Sequence, residues 1–287
     1  MPPESPTVAS WELNSRLKLR RVELGMDVDV ICKALRFTRN YWSAVENDRK
    51  ILAADKLDQL LDVLEFDKDE KAELSQLREV AKRRGWWMNY SALFDESVLR
   101  YFGLEHGAQS IRTYESLLVP GLLQTPEYAY ALMSKSIRVR KIEAQQRLEV
   151  RMRRQERLRG PDPLQLTAVF SEATLLQQVG GPAVRYQQLQ HLAKTIEDHP
   201  DNIEVRIVPF TATTHELFGA STFHLIDFES SQLDTLIWQE MSYIWGIISD
   251  ERAIHRASLV YGEAMETSLS TADSLELIRV RLKELRP

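Results

Sequence analysis

Two short apolar-periodic segments on either side of a tight break constrain this chain more than any other feature. They lie in LGMDVDVICKALRFTRNYWSAVENDRK, Leu24 to Lys50. Ile31 and Leu35 are four residues apart, and Trp42 and Val45 are three apart, so each pair shares one helix face. The break falls at Arg36-Phe37. Asp27 and Thr38 stand just ahead of the two segments, where a side-chain oxygen can cap free backbone N–H groups. Two short helices joined by about three or four residues, the second opening on a capping hydroxyl, form a helix-turn-helix pattern.

The flanking sequence extends this into a five-helix module. Leu13, Leu17 and Leu24 predict a first helix over Leu13–Leu24, and Gly25 supplies the left-handed residue that ends it. The second and third helices are expected over Asp27–Leu35 and Thr38–Asn47. Leu57, Leu60, Leu61 and Leu64 give Ala54–Leu64 one apolar face. Asp69–Arg84 has acids in its first turn and Lys82-Arg83-Arg84 in its last, which suits a helix dipole.

Composition describes an ordinary globular chain, with 44% hydrophobic and 28% charged residues in 287. That length predicts two domains. The net charge of −5 hides a polarity. Residues 11–56 carry ten Lys/Arg against seven Asp/Glu, and residues 135–159 carry ten against three, leaving −15 on the remainder. DNA binding answers to local charge, so this asymmetry matters more than the total. The single cysteine, Cys32, has no internal disulfide partner, which fits a reducing compartment. MPPESPTVAS lacks the apolar core of a signal peptide, and no run reaches membrane-spanning length. A cytoplasmic protein with a frayed N-terminus and no membrane contact is expected.

LKLRRVELGMDVDVICKALRFTRNYWSAVEN resembles the Cro/repressor-type helix-turn-helix, also called the xenobiotic-response-element type, over about 55 residues. The resemblance implies that Arg21, late in helix 1, pairs with Glu46, late in helix 3, as a structural ion pair. It also places the base-reading positions at Arg39, Asn40 and Ala44. Arginine can grip guanine O6/N7 in two places, and asparagine can grip adenine N6/N7 likewise. Thr38, Ser43, Asn47, Arg49 and Lys50 are the candidates for contacts to the DNA backbone. Tyr41 is open between packing and contact. Three positions depart from the family pattern. Arg36 stands where a small turn residue is usual. Val28, flanked by Asp27 and Asp29, stands where a phosphate-binding glutamine is common. Asp48 stands where a glycine follows the Glu-Asn pair.

From Gly85 the composition turns aromatic, with Trp86, Trp87, Tyr90, Phe94, Tyr101, Phe102 and Tyr114. These residues are either the core of a new domain or the lining of a ligand pocket. In LLVPGLLQTPEYAYALM, Pro120-Gly121 marks a turn, and Thr125-Pro126 opens a helix. Together with the Trp-Trp start, Glu105, RLEVRMRRQ and FSEATL, this stretch resembles a domain of unknown function fused to helix-turn-helix modules in actinobacterial WhiJ-like regulators. The resemblance covers about residues 85–280. It implies no secure biochemical activity. It does imply a repressor, or one half of a toxin–antitoxin-like pair acting through a small cognate partner protein.

Ser136–Leu158 reads as one long basic helix. Its Arg147, Arg151, Arg153 and Arg154 are a solvated face, a partner-docking face or an anion-binding face. Strands are expected at Leu164–Phe170, Ile203–Pro209, Ser221–Phe228 and Leu233–Glu240, the last two as antiparallel neighbours. Helices are expected at Ala173–Val179, Val184–Glu197, Glu251–Tyr261 and Ser270–Leu285. The expected fold is mostly α: a five-helix helix-turn-helix domain, then a helix-rich α+β domain with a small sheet. The expected divisions are a disordered tail at 1–10, the DNA-binding domain at 11–67, a connecting helix at 68–84, and a regulatory or dimerisation domain at 85–287.

Catalytic signals are sparse. No two of His106, His191, His199, His215, His224 and His255 stand at i, i+3 or i, i+4, so no local metal motif appears. Gly180-Gly181 lacks the Lys-Ser/Thr of a phosphate loop, and no G-x-S-x-G elbow occurs. Glu172, Glu240, His215 and His224 could assemble a catalytic set only by chance of folding. We therefore expect a DNA-binding transcriptional regulator, with no enzyme activity, cofactor or metal. Its expected partners are double-stranded DNA and a second copy of itself, with a small cognate protein and a small-molecule effector as further candidates.

Overall fold

Ser5-Pro6 starts the first helix well ahead of its leucine pattern. In the computed structural model, residues 2–137, 139–213, 219–241 and 245–285 are described. Helix α1 runs Pro6–Glu23, with Ser5 Oγ accepting from Val8 N–H and proline in the first turn. The expected disordered tail at 1–10 is therefore corrected: a capping serine followed by proline is a strong helix start. The extension packs Ala9 against Val80 and Ala81.

The chain divides into two compact units, one of residues 3–91 with 230–233, the other built from 92–229 and 234–287. In the first, α1 is followed by α2 (Val28–Leu35), α3 (Arg39–Glu46), α4 (Ala54–Val63) and α5 (Lys68–Ala81). Leu13, Leu17, Ile31, Leu35, Trp42, Val45, Leu57, Leu60 and Leu61 form its core, as the spacing predicts. The fifth helix ends three residues short of its expected Arg84. At its start Asp67 and Glu70 form a reciprocal capping box. Trp86 and Trp87 sit in a 3₁₀ turn, Trp86–Tyr90, that belongs to this first unit and not to the start of the next.

The second unit is built on a six-stranded sheet. Its strands are β1 (Ser110–Glu115), β2 (Gln165–Ser171), β3 (Ile203–Val208), β4 (Phe223–Asp227), β5 (Leu236–Glu240) and β6 (Trp245–Ile248), in the order β3-β2-β1-β4-β5-β6. The β1–β2 and β2–β3 pairs are parallel, and the rest are antiparallel, including the expected β4–β5 pair. Around the sheet lie α6 (Glu96–Gly107), α7 (Pro126–Ser134), α8 (Ala144–Arg154), α9 (Ala173–Leu176), α10 (Pro182–Asp198), α11 (Glu251–Thr267) and α12 (Thr271–Glu284). The fold is mostly helical, as expected, but the sheet has two strands beyond the four predicted.

Register divides the sheet into two unlike faces. Thr113 pairs with His224, and His224 with Trp238. Thr113, Glu115, His224 and Trp238 therefore share one face, because side chains alternate along a strand. Tyr114, Phe223, Leu225 and Ile237 share the other, where Tyr261 and Ala264 of α11 cover them. The polar face is covered by α6 and α8. Tyr101 of α6 stacks on Trp238 with ring centroids 4.5 Å apart.

The expected long basic helix is shorter than its apolar stripe implied. Lys141–Glu143 and Gln155–Leu158 are 3₁₀ turns on either side of α8, and Ser136, Ile137, Val139 and Arg140 are not helical. Arg138 and His215 lie outside the described residues. No helix among the described residues is long and apolar enough to cross a membrane.

Candidate nucleic-acid interface

The turn between α2 and α3 sets the candidate surface. Asp27 caps α2 by accepting from Asp29 N–H at 2.7 Å, and Thr38 caps α3 by accepting from Tyr41 N–H at 3.1 Å. Arg36 ends α2 in the left-handed conformation, φ 57° and ψ 42°. Its Cβ is strained there, at a cost of about 1–2 kcal/mol for a non-glycine residue. Arg36 is exposed, so Arg36→Gly should raise the unit's stability by about 1 kcal/mol in urea melts. An unchanged or lower midpoint would mean that the arginine side chain compensates for its backbone.

Two side chains of α3 fix its orientation and leave the rest to solvent. Trp42 and Val45 are fully buried. Arg21 Nε donates to Glu46 Oε1 at 2.6 Å, and Arg21 NH1 donates to Met26 O at 3.0 Å, so the expected ion pair ties α1 to α3. Asp48 explains its own departure from glycine. It adopts φ 55°, and its carboxylate accepts from Asn14 Nδ2 at 3.0 Å and from Ser10 Oγ. Aspartate tolerates the left-handed region better than most residues, and here it also anchors α1 beside the end of α3.

Thr38, Arg39, Asn40, Ser43, Asn47, Arg49 and Lys50 are exposed, and Ala44 is half-buried. The structure thus brings the expected reading residues onto the open side of α3. They differ in what holds them. Asn47 Nδ2 donates to Ser43 O at 2.6 Å, and Lys50 Nζ lies 4.4 Å from the centre of the Tyr41 ring. Tyr41 is half-buried and packs against Phe37, with ring centroids 4.6 Å apart and the planes tilted by 34°. Arg39 is ion-paired to Asp29 at the start of α2, and that hydrogen bond and charge favour its protonated form. Asp29 is a partner of Arg39 that the sequence pattern does not single out. Its spacing ahead of the turn was the available signal that it could reach α3.

The arginines of α8, the other expected surface, are held mostly by partners within the second unit. Arg154 makes two hydrogen bonds to Glu105, Nε to Oε1 at 2.6 Å and NH2 to Oε2 at 2.7 Å. Burial opposes ionisation of Glu105, but the Arg154 charge and hydrogen bonds, with one from Tyr101, hold it below the usual carboxylate range. Arg147 bonds to Glu143 and to Leu93 O, and it lies over the Phe94 ring. Arg151 NH1 donates to Gln124 Oε1 at 3.1 Å. Of the four, only Arg153 is exposed. The helix turns its charges inward because the polar face of the sheet and α6 offer partners there.

The VPGLLQTPEY turn is held by the same helix. A Cβ on Gly121 would lie 2.6 Å from Arg151 NH1, so a larger residue there would displace the end of that side chain. Gln155 Nε2 donates to Gly121 O and Gln124 O, and Gln188 Nε2 donates to Leu123 O. Glu172 accepts from Phe210 N–H and from Arg281. No group of histidine, cysteine and carboxylates among the described residues could hold a metal ion.

Two families match the chain. One, described as a helix-turn-helix domain, matches residues 12–74; the other, described as a domain of unknown function (DUF5753), matches residues 98–280. No curated protein and no solved structure matches it. The first match points to a DNA-binding regulator.

Proposed function

Because this chain belongs to the family of the domain of unknown function DUF5753 and carries a helix-turn-helix domain ahead of it, we propose that it is a sequence-specific transcriptional repressor of the Cro/repressor type. In this reading the first unit docks α3 in the major groove, and the second unit dimerises and receives a signal. The observation that carries it is the split of α3 into an anchored side, Trp42 and Val45, and an open side that presents Thr38, Arg39, Asn40 and Ser43.

Arg39 and Asn40 read bases in this proposal, with Ala44 against a thymine methyl. Thr38, Ser43, Asn47, Arg49 and Lys50 supply phosphate contacts. The Arg39–Asp29 pair is exposed at both ends, so solvent screens it and a guanine edge can replace the carboxylate. A single small module buries little DNA, so a two-fold dimer reading half-sites about 34–36 Å apart supplies the specificity.

Arg39→Ala should weaken binding to the cognate operator by about tenfold to a hundredfold and relax preference at one base pair. Fluorescence anisotropy on operator variants measures both. Equal affinity of wild type and Arg39→Ala across those variants would sink the placement of α3 in the groove. Steep loss of affinity with rising salt is the accompanying signature of phosphate contacts.

A further inference from the structure

The polar face of the sheet in the second unit holds more buried positive charge than its neighbours match. Glu105 and Arg154 form one balanced pair. Arg151, one turn earlier on α8, has no carboxylate within 4 Å among the described residues. One hydrogen bond, to Gln124, serves its guanidinium, and its Nε–H is buried without a protein acceptor. Trp238, 2% exposed, points a second donor from the same region, and its Nε1–H also lacks an acceptor. Arg154 lies 5.3 Å from the Tyr101 ring, and that ring stacks on Trp238, so these groups form one connected cluster.

A buried cation left with free donors is costly, and proteins match such charges with a counter-anion. We propose that the second unit binds the carboxylate of a small organic anion against Arg151, on the polar face of the sheet that carries Trp238. Nε–H and an NH₂ group on one edge of a guanidinium match the two oxygens of a carboxylate. One unmatched positive charge selects a monoanion over a dianionic phosphate.

Two neighbouring groups leave that charge unmatched. Burial pushes Glu115 up to about 8, against the hydrogen bonds from Thr222 and Thr113, so near neutral pH it is a protonated carboxyl and not the counter-ion. Burial, and then the charge of Arg154, bring Arg151 down only to about 10, so it stays charged. The Glu240 carboxylate, exposed at the end of β5, feels Arg151 but does not reach salt-bridge distance.

The test is thermal melting of the full chain without DNA, in sodium acetate, sodium benzoate, sodium phosphate and sodium sulfate, each compared with sodium chloride at equal ionic strength. A carboxylate should raise the melting temperature along a saturating curve. Arg151→Gln should abolish the rise, read against its own melting temperature in chloride because the substitution also removes the hydrogen bond to Gln124. Arg151→Lys should fold and weaken the apparent affinity at least tenfold, because lysine keeps the charge and loses the paired donors. No rise beyond chloride for either carboxylate, or a rise that survives in Arg151→Gln, overturns the site. A rise with phosphate or sulfate alone overturns the carboxylate assignment. None of these outcomes depends on whether α3 reads DNA.

Discussion

Glu105→Gln should destabilise the second unit by about 3–5 kcal/mol, the typical cost of removing one partner from a buried ion pair. The pair is well enclosed: side-chain exposure is 10% for Arg154 and 2% for Glu105. Its two hydrogen bonds at 2.6 and 2.7 Å have the parallel geometry that makes arginine–carboxylate pairs strong. Glutamine has nearly the same volume, so no cavity term enters. What changes is charge: Arg154 and Arg151 would then lie a helical turn apart with no carboxylate in salt-bridge contact. Urea unfolding followed by circular dichroism should show the transition of the second unit moving to lower denaturant while that of the first stays in place. The double variant Glu105→Gln/Arg154→Met should recover part of the loss, because an uncharged pair of similar size removes the desolvation penalty as well as the attraction. A single-variant cost under about 1 kcal/mol would mean that water reaches the pair and screens it.

That pair also shows why the first unit was legible in the sequence and the second much less so. Arg21 and Glu46 belong to a motif whose spacing is local, 25 residues apart across three consecutive helices, α1 to α3. The caps at Asp27 and Thr38 and the left-handed turns at Gly25 and Arg36 were readable because each depends on a few neighbouring residues. Glu105 and Arg154 are 49 residues apart and meet only where α6 and α8 pack together on one face of the sheet. Read alone, α8 is a helix with an arginine face, and an arginine face usually means solvent. Strand β1 was missed for a related reason. Its alternation is real, but Thr113 and Glu115 occupy positions where a buried face is expected to be apolar. Strand β6 was missed because Gly246 interrupts its four residues. In β1 the departure from the hydrophobic pattern marks the polar face, the part of the second unit with the most unusual chemistry.

The second large effect is a pH dependence that Glu115 imposes on that unit. In the unfolded chain this carboxyl releases its proton at the ordinary value of 4.5, whereas burial in the folded chain holds the proton up to about 8. Between those values the unfolded state binds fewer protons, so stability falls as pH rises, and the full penalty is in place above about 8. A tenfold difference in proton affinity between the two states corresponds to about 1.4 kcal/mol, so the penalty is on the order of a few kcal/mol. His224 acts in the opposite sense. Burial brings it from 6.5 down to about 4, so its contribution is complete above 6.5 and is lost as pH falls through that window. The two slopes oppose each other on the acid side, and above 6.5 the Glu115 slope is the one that remains. Glu115→Gln should therefore remove most of the alkaline loss. It should be more stable than wild type by about 2–4 kcal/mol near pH 9 and nearly equal to it near pH 5. Glutamine keeps an oxygen for the Thr222 hydroxyl, which donates to Glu115 Oε2 at 3.0 Å. Urea melts at both pH values measure the difference. An advantage of the same size at both would show that the gain comes from packing. A loss at both would show that the protonated carboxyl makes a hydrogen bond the amide cannot replace.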